Sequence, residues 1–195
     1  MMIATITAAC GVPTPLAPPT AKEVLAKPQQ SSLTDAHFKV TGKIADNNAT
    51  IDIVGEGALV YKPKLAGRFQ FTTTVSGQTA TIKEISVNGV NYGLSPASPK
   101  WVASPSTTGI DPNAFAGKSD QKYIGEENLP QGKAWHVTAK DDGGNAFDAY
   151  IREKDGYPIK YVETQGGGQN ITLTFDQYNT GETIAAPPAD QIQAG

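Results

Sequence analysis

The chain has 195 residues, which is typical of one domain and enough to bury a sizeable core. Its 20 glycines, its 14 prolines and its low share of charged residues (18%) argue against a coiled coil or a long-helix bundle. The net charge of −3, the single cysteine and the two histidines argue against a nucleic-acid-binding face, a disulfide framework and a metal centre built from thiolates or several histidines.

The N-terminus has the composition of a membrane anchor followed by a spacer. The first nine residues are apolar with threonines, and Cys10 follows Thr-Ala-Ala, as in a bacterial lipobox whose cysteine becomes lipidated. Four prolines between residues 11 and 20 predict a stiff, extended spacer. We therefore predict a lipoprotein signal and lipobox remnant at 1–10, a Pro-rich linker at 11–20 and a folded domain at 21–195. The alternative is an unpaired cysteine in a tail.

One helix is predicted at the start of the domain. Thr20 and Glu23 have the spacing of a capping box, in which each side chain accepts a hydrogen bond from the backbone N–H of the other residue. Pro28 should end or kink this helix, because proline lacks the N–H that the helix needs.

From His37 onward the apolar residues recur with period two, which predicts β-strands. Turn residues separate the alternating segments, and Asn88-Gly89 is a strong hairpin signal. Gly55 and Gly57 lie on one face of a predicted strand and indicate a bend or a close backbone approach. About ten strands result. Because their links are short, they should form one antiparallel meander with one apolar face.

A Pro-rich segment interrupts the strands. Ser95–Gly117 has four prolines and no periodicity, so it is predicted to be a long connection with one helical turn near Asp111-Pro112. The predicted class is α+β, mainly β, with a single curved antiparallel sheet. Such a sheet should curl over a second sheet, a helix or a ligand, and the predicted helix is too little to cover ten strands.

Several short segments, none diagnostic alone, occur in the order and spacing of a known family. With the lipobox-like Cys10 and its Pro-rich linker, they are 37–42, 57–60 with Pro63, 88–89, 100–101, 111–112, 133–138, 151–158 and 175–178 with 187–188. The chain therefore resembles the LolA/LolB-type half-barrel lipoproteins, and it is most similar in pattern to the mycobacterial LppX/LprA/LprF/LprG lipoproteins.

The resemblance implies a half-barrel, in which an N-terminal helix and a lid close one curved sheet. It implies a monomeric bacterial protein of the cell envelope, outside the cytoplasm and anchored to the membrane through a lipidated Cys10. Such a protein binds a lipid or a lipidated ligand between sheet and lid and carries it across the envelope, without catalytic residues or a cofactor. The lid available here, Val102–Gln121, is shorter than in members with large cavities, so the cavity is expected to be small, open or absent.

Apolar residues of the strands and the lid are expected to line this cavity. The candidates are Phe38, Val40, Ile53, Leu59, Phe69, Phe71, Val87, Trp101, Phe115, Val137, Ile151 and Leu173. For each of them, ordinary core packing is the alternative interpretation.

Enzyme chemistry has little support in the sequence. It contains no Gly-x-Ser-x-Gly nucleophile elbow and no Asp-x-Asp-x-Asp-Gly calcium loop. His37 and His136 are predicted to be solvated surface residues, and the glycines at 143–144 and 166–168 to form turns. The main alternative function is a non-enzymatic surface interaction or assembly module without a lipid cavity. A β-rich hydrolase would need a convergent polar cluster.

Overall fold

The computed structural model describes residues 17–46, 49–75, 78–105, 115–117, 119–141, 144–165 and 169–194. Some sequence predictions therefore lie outside the described residues: the lipidation site Cys10, the helical turn at Asp111-Pro112 and the predicted turn glycines 143 and 166–168. The division of the chain at residues 10 and 20 stays a prediction. Within the described residues, no helix combines the length and the apolar character needed to cross a membrane.

The predicted helix, α1, spans Ala21–Gln30 and begins at the predicted capping box. The Thr20 backbone N–H donates to Glu23 Oε2 at 2.7 Å, and the Glu23 N–H donates to Thr20 Oγ1 at 3.3 Å. Pro28 lies inside the last turn, and the helix ends shortly after it. The capping box and the proline thus set the two ends of α1 from the sequence alone.

Twelve strands follow α1, and a 3₁₀ turn at Ala189–Gln191 precedes the last of them. The strands are β1 (Asp35–Asp46), β2 (Ala49–Val60), β3 (Ala66–Val75), β4 (Gln78–Val87), β5 (Val90–Leu94), β6 (Trp101–Pro105), β7 (Ser119–Leu129), β8 (Gly132–Lys140), β9 (Ala146–Arg152), β10 (Pro158–Gln165), β11 (Gln169–Tyr178) and β12 (Ile192–Ala194).

All twelve strands belong to one curved, open sheet in the order β12-β6-β5-β4-β3-β2-β1-β11-β10-β9-β8-β7. The chain runs from the centre to one side through β6, crosses to the opposite edge at β7, and returns to place β11 beside β1. Neighbouring strands are antiparallel except β12, which pairs parallel with β6. The predicted mainly β class and single antiparallel half-barrel sheet are confirmed.

Three strands lie outside the segments that the sequence predicted to be strands. β6 lies within the segment predicted to be irregular, and it is only five residues long. β7 is an edge strand whose side chains are mostly polar and alternately exposed, so it has no apolar period to detect. β12 has three residues and depends on β6 for its pairing.

The two faces of the sheet carry separate apolar clusters. We call the face that packs against α1 the inner face; its cluster joins Val24 and Leu25 of the helix to Phe38, Val137 and Phe175 of the sheet. The opposite, outer face has two smaller clusters. One of them joins β2, β3 and β4 to Ile184 of the C-terminal tail, and the other lies on β8, β9 and β10.

The described cover of the inner face lies on one half of the sheet. α1 makes its main contacts with β7, β8 and β9. Phe115, from the connection between β6 and β7, stacks on Tyr161 with ring centroids 4.1 Å apart and meets Phe147 edge-on. Of the predicted lid Val102–Gln121, residues 106–114 and 118 lie outside the description.

Candidate functional site: the inner face of the sheet

A row of aromatic rings crosses the half of the inner face that lies away from α1. Phe38 on β1 is buried, whereas Phe69 and Phe71 on β3 are half-buried. The ring centroids of Phe38 and Phe69 are 6.1 Å apart, and those of Phe69 and Phe71 are 5.0 Å apart in a stacked arrangement. We call these three residues the aromatic row. Its exposed part offers flat apolar surface to a bound molecule.

Two glycines of β2 make room for the aromatic row. Gly57 lies opposite Phe38 on one side and Phe69 on the other, and Gly55 lies opposite Phe71. A Cβ at Gly57 would overlap the Phe38 ring, and a Cβ at Gly55 would lie 2.8 Å from the Phe71 Cβ. Of the bend and the close approach predicted from these glycines, the structure therefore shows the close approach.

Ten of the twelve predicted cavity residues share the inner-face cluster. Seven of them are buried: Phe38, Val40, Ile53, Leu59, Val137, Ile151 and Leu173. The remaining three, Phe69, Phe71 and Phe115, pack against that cluster and are half-buried. The structure thus assembles most of the predicted set, while its role in ligand binding stays a prediction.

The other two predicted residues lie on the outer face. Val87 packs against Val60 and Ala66 in the cluster that includes the tail. Trp101 neighbours Val102, which pairs with Gly93 on the inner face, so the alternation of the strand turns Trp101 outward. Val87 lies outward because the C-terminal end of β4 is apolar on the outer face, at Ile85 and Val87, and polar on the inner face, at Glu84 and Ser86.

Glu84 is a polar inner-face residue that sequence reasoning missed, as it missed the apolar Phe147, Tyr161 and Phe175 of the same face. It pairs directly with Phe69, so its carboxylate shares the face of the aromatic row. Burial raises the pKa of the Glu84 carboxyl. The alternation of the strand was the available signal. Residues two apart on a strand share a face, and Glu84 is two residues from the apolar Ile82.

His136 lies on the outer face and is less exposed than the sequence predicted, since only 13% of its side chain is exposed. Its Nε2 lies 2.6 Å from Asp148 Oδ1, its Nδ1 lies 2.8 Å from Glu127 Oε1, and its ring stacks on Tyr150. Carboxylates therefore occupy both ring nitrogens, which leaves neither of them to activate a nucleophile. The two carboxylates flank the ring instead of converging. Among the described residues, no group of three or more acidic, histidine or cysteine side chains is placed to hold a metal ion.

A small polar pocket lies near His37, where the pairing of β1 with β11 shifts register. Its volume is about 130 Å³, whereas small-molecule pockets usually begin near about 300 Å³. Its arginine and its lysine already have carboxylate partners: Arg68 Nε lies 2.8 Å from Glu182, and Lys39 lies 2.8 Å from Asp176. This pocket is too small and too polar to be the predicted apolar cavity.

Comparison with known proteins shows the fold. No protein-family model matches the chain, and no curated protein matches it. An uncharacterized conserved protein from Thermus thermophilus is 17% identical over 90% of this chain and 99% of its own, with a TM-score of 0.60.

Two further likenesses have lower TM-scores. LprF from Mycobacterium bovis is 13% identical over 86% of this chain and 96% of its own, with a TM-score of 0.48. The LolA superfamily protein NE2245 from Nitrosomonas europaea is 10% identical over 89% and 97%, with a TM-score of 0.37. The structural neighbours thus include the two groups named by the sequence resemblance, while the shared fold rests on the Thermus protein.

Proposed function

We propose that this protein is a non-enzymatic lipoprotein of the bacterial envelope that holds an acyl chain, or another apolar ligand, on its inner face. One observation carries the proposal: the half-buried rings of Phe69 and Phe71 lie on the half of that face where α1 makes few contacts. The likeness of the sequence to half-barrel lipoproteins supports it. Carriage of the ligand between membranes is the use that we infer.

The energetics favour exchange over permanent binding. Each CH₂ group of an acyl chain gains about 0.8 kcal/mol when it leaves water. A bilayer offers nearly the same gain, so a carrier works only if its own site is close in affinity. An apolar face that is covered over one half and only half-buried over the other can meet this condition. An acyl chain can enter the half-buried part without displacing the core.

The location follows from the N-terminus and is part of the proposal. Cys10 would carry the lipid anchor, and the prolines of residues 11–20 would hold the sheet away from the membrane. In a bacterial host, Cys10→Ser should abolish labelling by a radioactive fatty acid and move the protein from the membrane fraction to the soluble fraction. Unchanged membrane association of the variant would contradict the anchor.

Ligand binding is tested on the full chain with Cys10→Ser, so that no anchor competes for the site. After incubation with phosphatidylethanolamine–phosphatidylglycerol vesicles, native mass spectrometry should show a stoichiometric protein–lipid complex. A mass without lipid after this incubation, and after purification from a bacterial host, would contradict the proposal and favour the interaction-module alternative.

A matched pair of variants locates the ligand. Ile82 is half-buried on the inner face opposite Phe71, whereas Val54 is 62% exposed and lies on the outer face of β2, next to the inward-facing Ile53. Ile82→Arg should weaken lipid binding by about tenfold or more, because the arginine charge would lie against the bound acyl chain. Val54→Arg should leave binding unchanged. Equal loss in both variants would contradict the inner-face site.

A further inference from the structure

A polar niche interrupts the inner face at β4 and β5. Glu84 and Ser86 of β4 face inward, since Glu84 pairs with Phe69 of the aromatic row. On β5, Gly93 lies opposite Glu84, and Asn91 lies opposite Ser86. The niche consists of these four residues, Glu84, Ser86, Asn91 and Gly93, and it adjoins the apolar surface that we assign to the acyl chain.

The Glu84 carboxylate has no counter-charge within the described part of the chain. None of the hydrogen bonds or ion pairs found there reaches Glu84, although Ser86 has a partner of its own. The neighbouring cations lie on the outer face: Lys83 alternates with Glu84, and Arg68 is held by Glu182. A half-buried carboxylate without a cation favours a cationic ligand.

Asn91 supplies a second acceptor without a donor. Its Oδ1 atom is buried and has no hydrogen-bond partner among the described residues. His136 Nδ1 and Glu153 Oε1 also lack a hydrogen bond, but His136 Nδ1 lies 2.8 Å from Glu127 Oε1, and Glu153 Oε1 lies 3.2 Å from Lys133 Nζ. Most buried acceptors in folded proteins are satisfied, so the bare Asn91 oxygen points to a donor that arrives from outside the chain.

Gly93 leaves room for that donor. A Cβ built on Gly93 would meet no atom of the described residues within 4 Å, so that part of the structure leaves open space above this residue on the inner face. Gly93 has no left-handed backbone conformation that would require a glycine. The open space lies directly opposite Glu84, where the head of a bound molecule would meet the carboxylate.

From these three observations we propose that the niche binds the primary ammonium head of an amphiphile whose chain lies along Phe69 and Phe71. An ammonium carries a positive charge and donates three hydrogen bonds, which suits a carboxylate and an amide oxygen that turns toward it. The Glu84 carboxylate would repel an anionic head, and a hydroxyl head would leave the charge of Glu84 uncompensated. This inference rests on the proposed function, because the chain must first occupy the apolar surface.

The test compares three ligands that share a twelve-carbon chain and differ only in the head: dodecylamine, dodecanol and dodecanoate. Each is titrated into the full chain with Cys10→Ser, at neutral pH, by isothermal titration calorimetry, the amine and the carboxylate below their micelle concentrations and dodecanol below its solubility limit. We expect dodecylamine to bind about tenfold or more tighter than dodecanol, and dodecanoate to bind most weakly.

Two variants and one control identify the niche. Glu84→Gln should remove the preference for the amine and leave dodecanol binding within about twofold. Asn91→Leu should reduce the preference without a change in net charge. Glu56→Gln, an exposed carboxylate on the outer face of β2, is the matched control and should keep the full preference.

The outcomes separate this inference from the proposed function. If dodecanol binds but the three heads bind alike, or if Glu84→Gln keeps the amine preference, the niche proposal is overturned and the apolar site stands. If none of the three ligands binds the parent protein, the proposed function is contradicted, and this inference fails with it.

Discussion

Asp35 is a buried carboxylate that ties the C-terminal tail to β1. Only 1% of the residue is exposed, and its oxygens accept hydrogen bonds from the Thr180 N–H (2.8 Å), the Thr180 hydroxyl (2.7 Å), the Gly181 N–H (3.1 Å) and the Thr34 hydroxyl (2.9 Å). Burial alone would raise the pKa of Asp35, but these hydrogen bonds outweigh it and lower the pKa. The ionised form is therefore the one that the fold stabilises.

Asp35→Asn should lower the free energy of unfolding by about 2 kcal/mol, since the amide nitrogen cannot accept the hydrogen bonds that the lost oxygen accepted. The folded pKa lies below the unfolded value, so the parent keeps the Asp35 contribution above the unfolded pKa. It loses that contribution as the pH falls through the folded pKa. In urea denaturation at a series of acidic pH values, the free energy of unfolding should fall less steeply with decreasing pH in the variant than in the parent.

The control for this prediction is Asp52→Asn. Asp52 pairs with Lys43 at an exposed position, and removal of such an ion pair should change the stability by less than about 1 kcal/mol. An Asp35→Asn protein as stable as this control would contradict the tether.

At the level of elements, the glycines of β2 decide how closely the strands and their side chains pack. Gly57 lies under the Phe38 ring and against the Arg68 carbonyl, so the ring occupies the place of a side chain. At Gly93 of β5, by contrast, the described residues leave open space. The same residue type thus serves close packing on one strand and an open niche on another.

Gly57→Ala should lower the free energy of unfolding by about 2 kcal/mol, because the added methyl group would displace Phe38 from the core. Gly93→Ala is the matched control and should change it by less than about 0.5 kcal/mol. Chemical denaturation of both variants measures the difference. Equal effects in the two variants would show that strand propensity, and not the contact with Phe38, accounts for the loss.

For the whole molecule, the decisive feature is the crossing from β6 at one side of the sheet to β7 at the opposite edge. Phe115 ties this crossing to the inner face through its stack on Tyr161. Gly117, at a φ of +70°, then passes close to Leu25 of α1 and Ala139 of β8. Residues 115–117 of the crossing and the helix therefore lie over the same half of the sheet.

Phe115→Ala should lower the free energy of unfolding by about 2 kcal/mol and expose residues 115–117 to proteolysis, because the stacked ring holds them to the sheet. Ile124→Ala, at a side chain that is 55% exposed on the neighbouring β7, should change the stability by less than about 0.5 kcal/mol. Limited proteolysis with mass spectrometry locates the new cleavage. If residues 115–117 stay uncut in Phe115→Ala, the role of the Phe115 ring in holding them to the sheet is contradicted.

Local chemistry allowed much of the fold to be read from the residues themselves. The capping box at Thr20 and Glu23 forms as predicted, and Asn88 and Gly89 both take positive φ values in the predicted hairpin. Each of these features depends on residues a few positions apart. The strand assignments depend on a period of two within one segment, so they too need no knowledge of the rest of the chain.

Local signals did not determine which face of the sheet a side chain lies on or which segment packs against it. Val87 and Trp101 lie on the outer face because the tail and β12 pack beside them, and Glu84 faces inward because of its register with Phe69. His136 is flanked by carboxylates from two other strands. Which face of a strand is buried, and what covers it, depends on segments that are distant in sequence. Alternation therefore predicted most of the strands and most of the inner face. Long-range packing determined the edge strands, which face of β4 is apolar at its C-terminal end, and the polar niche beside the aromatic row.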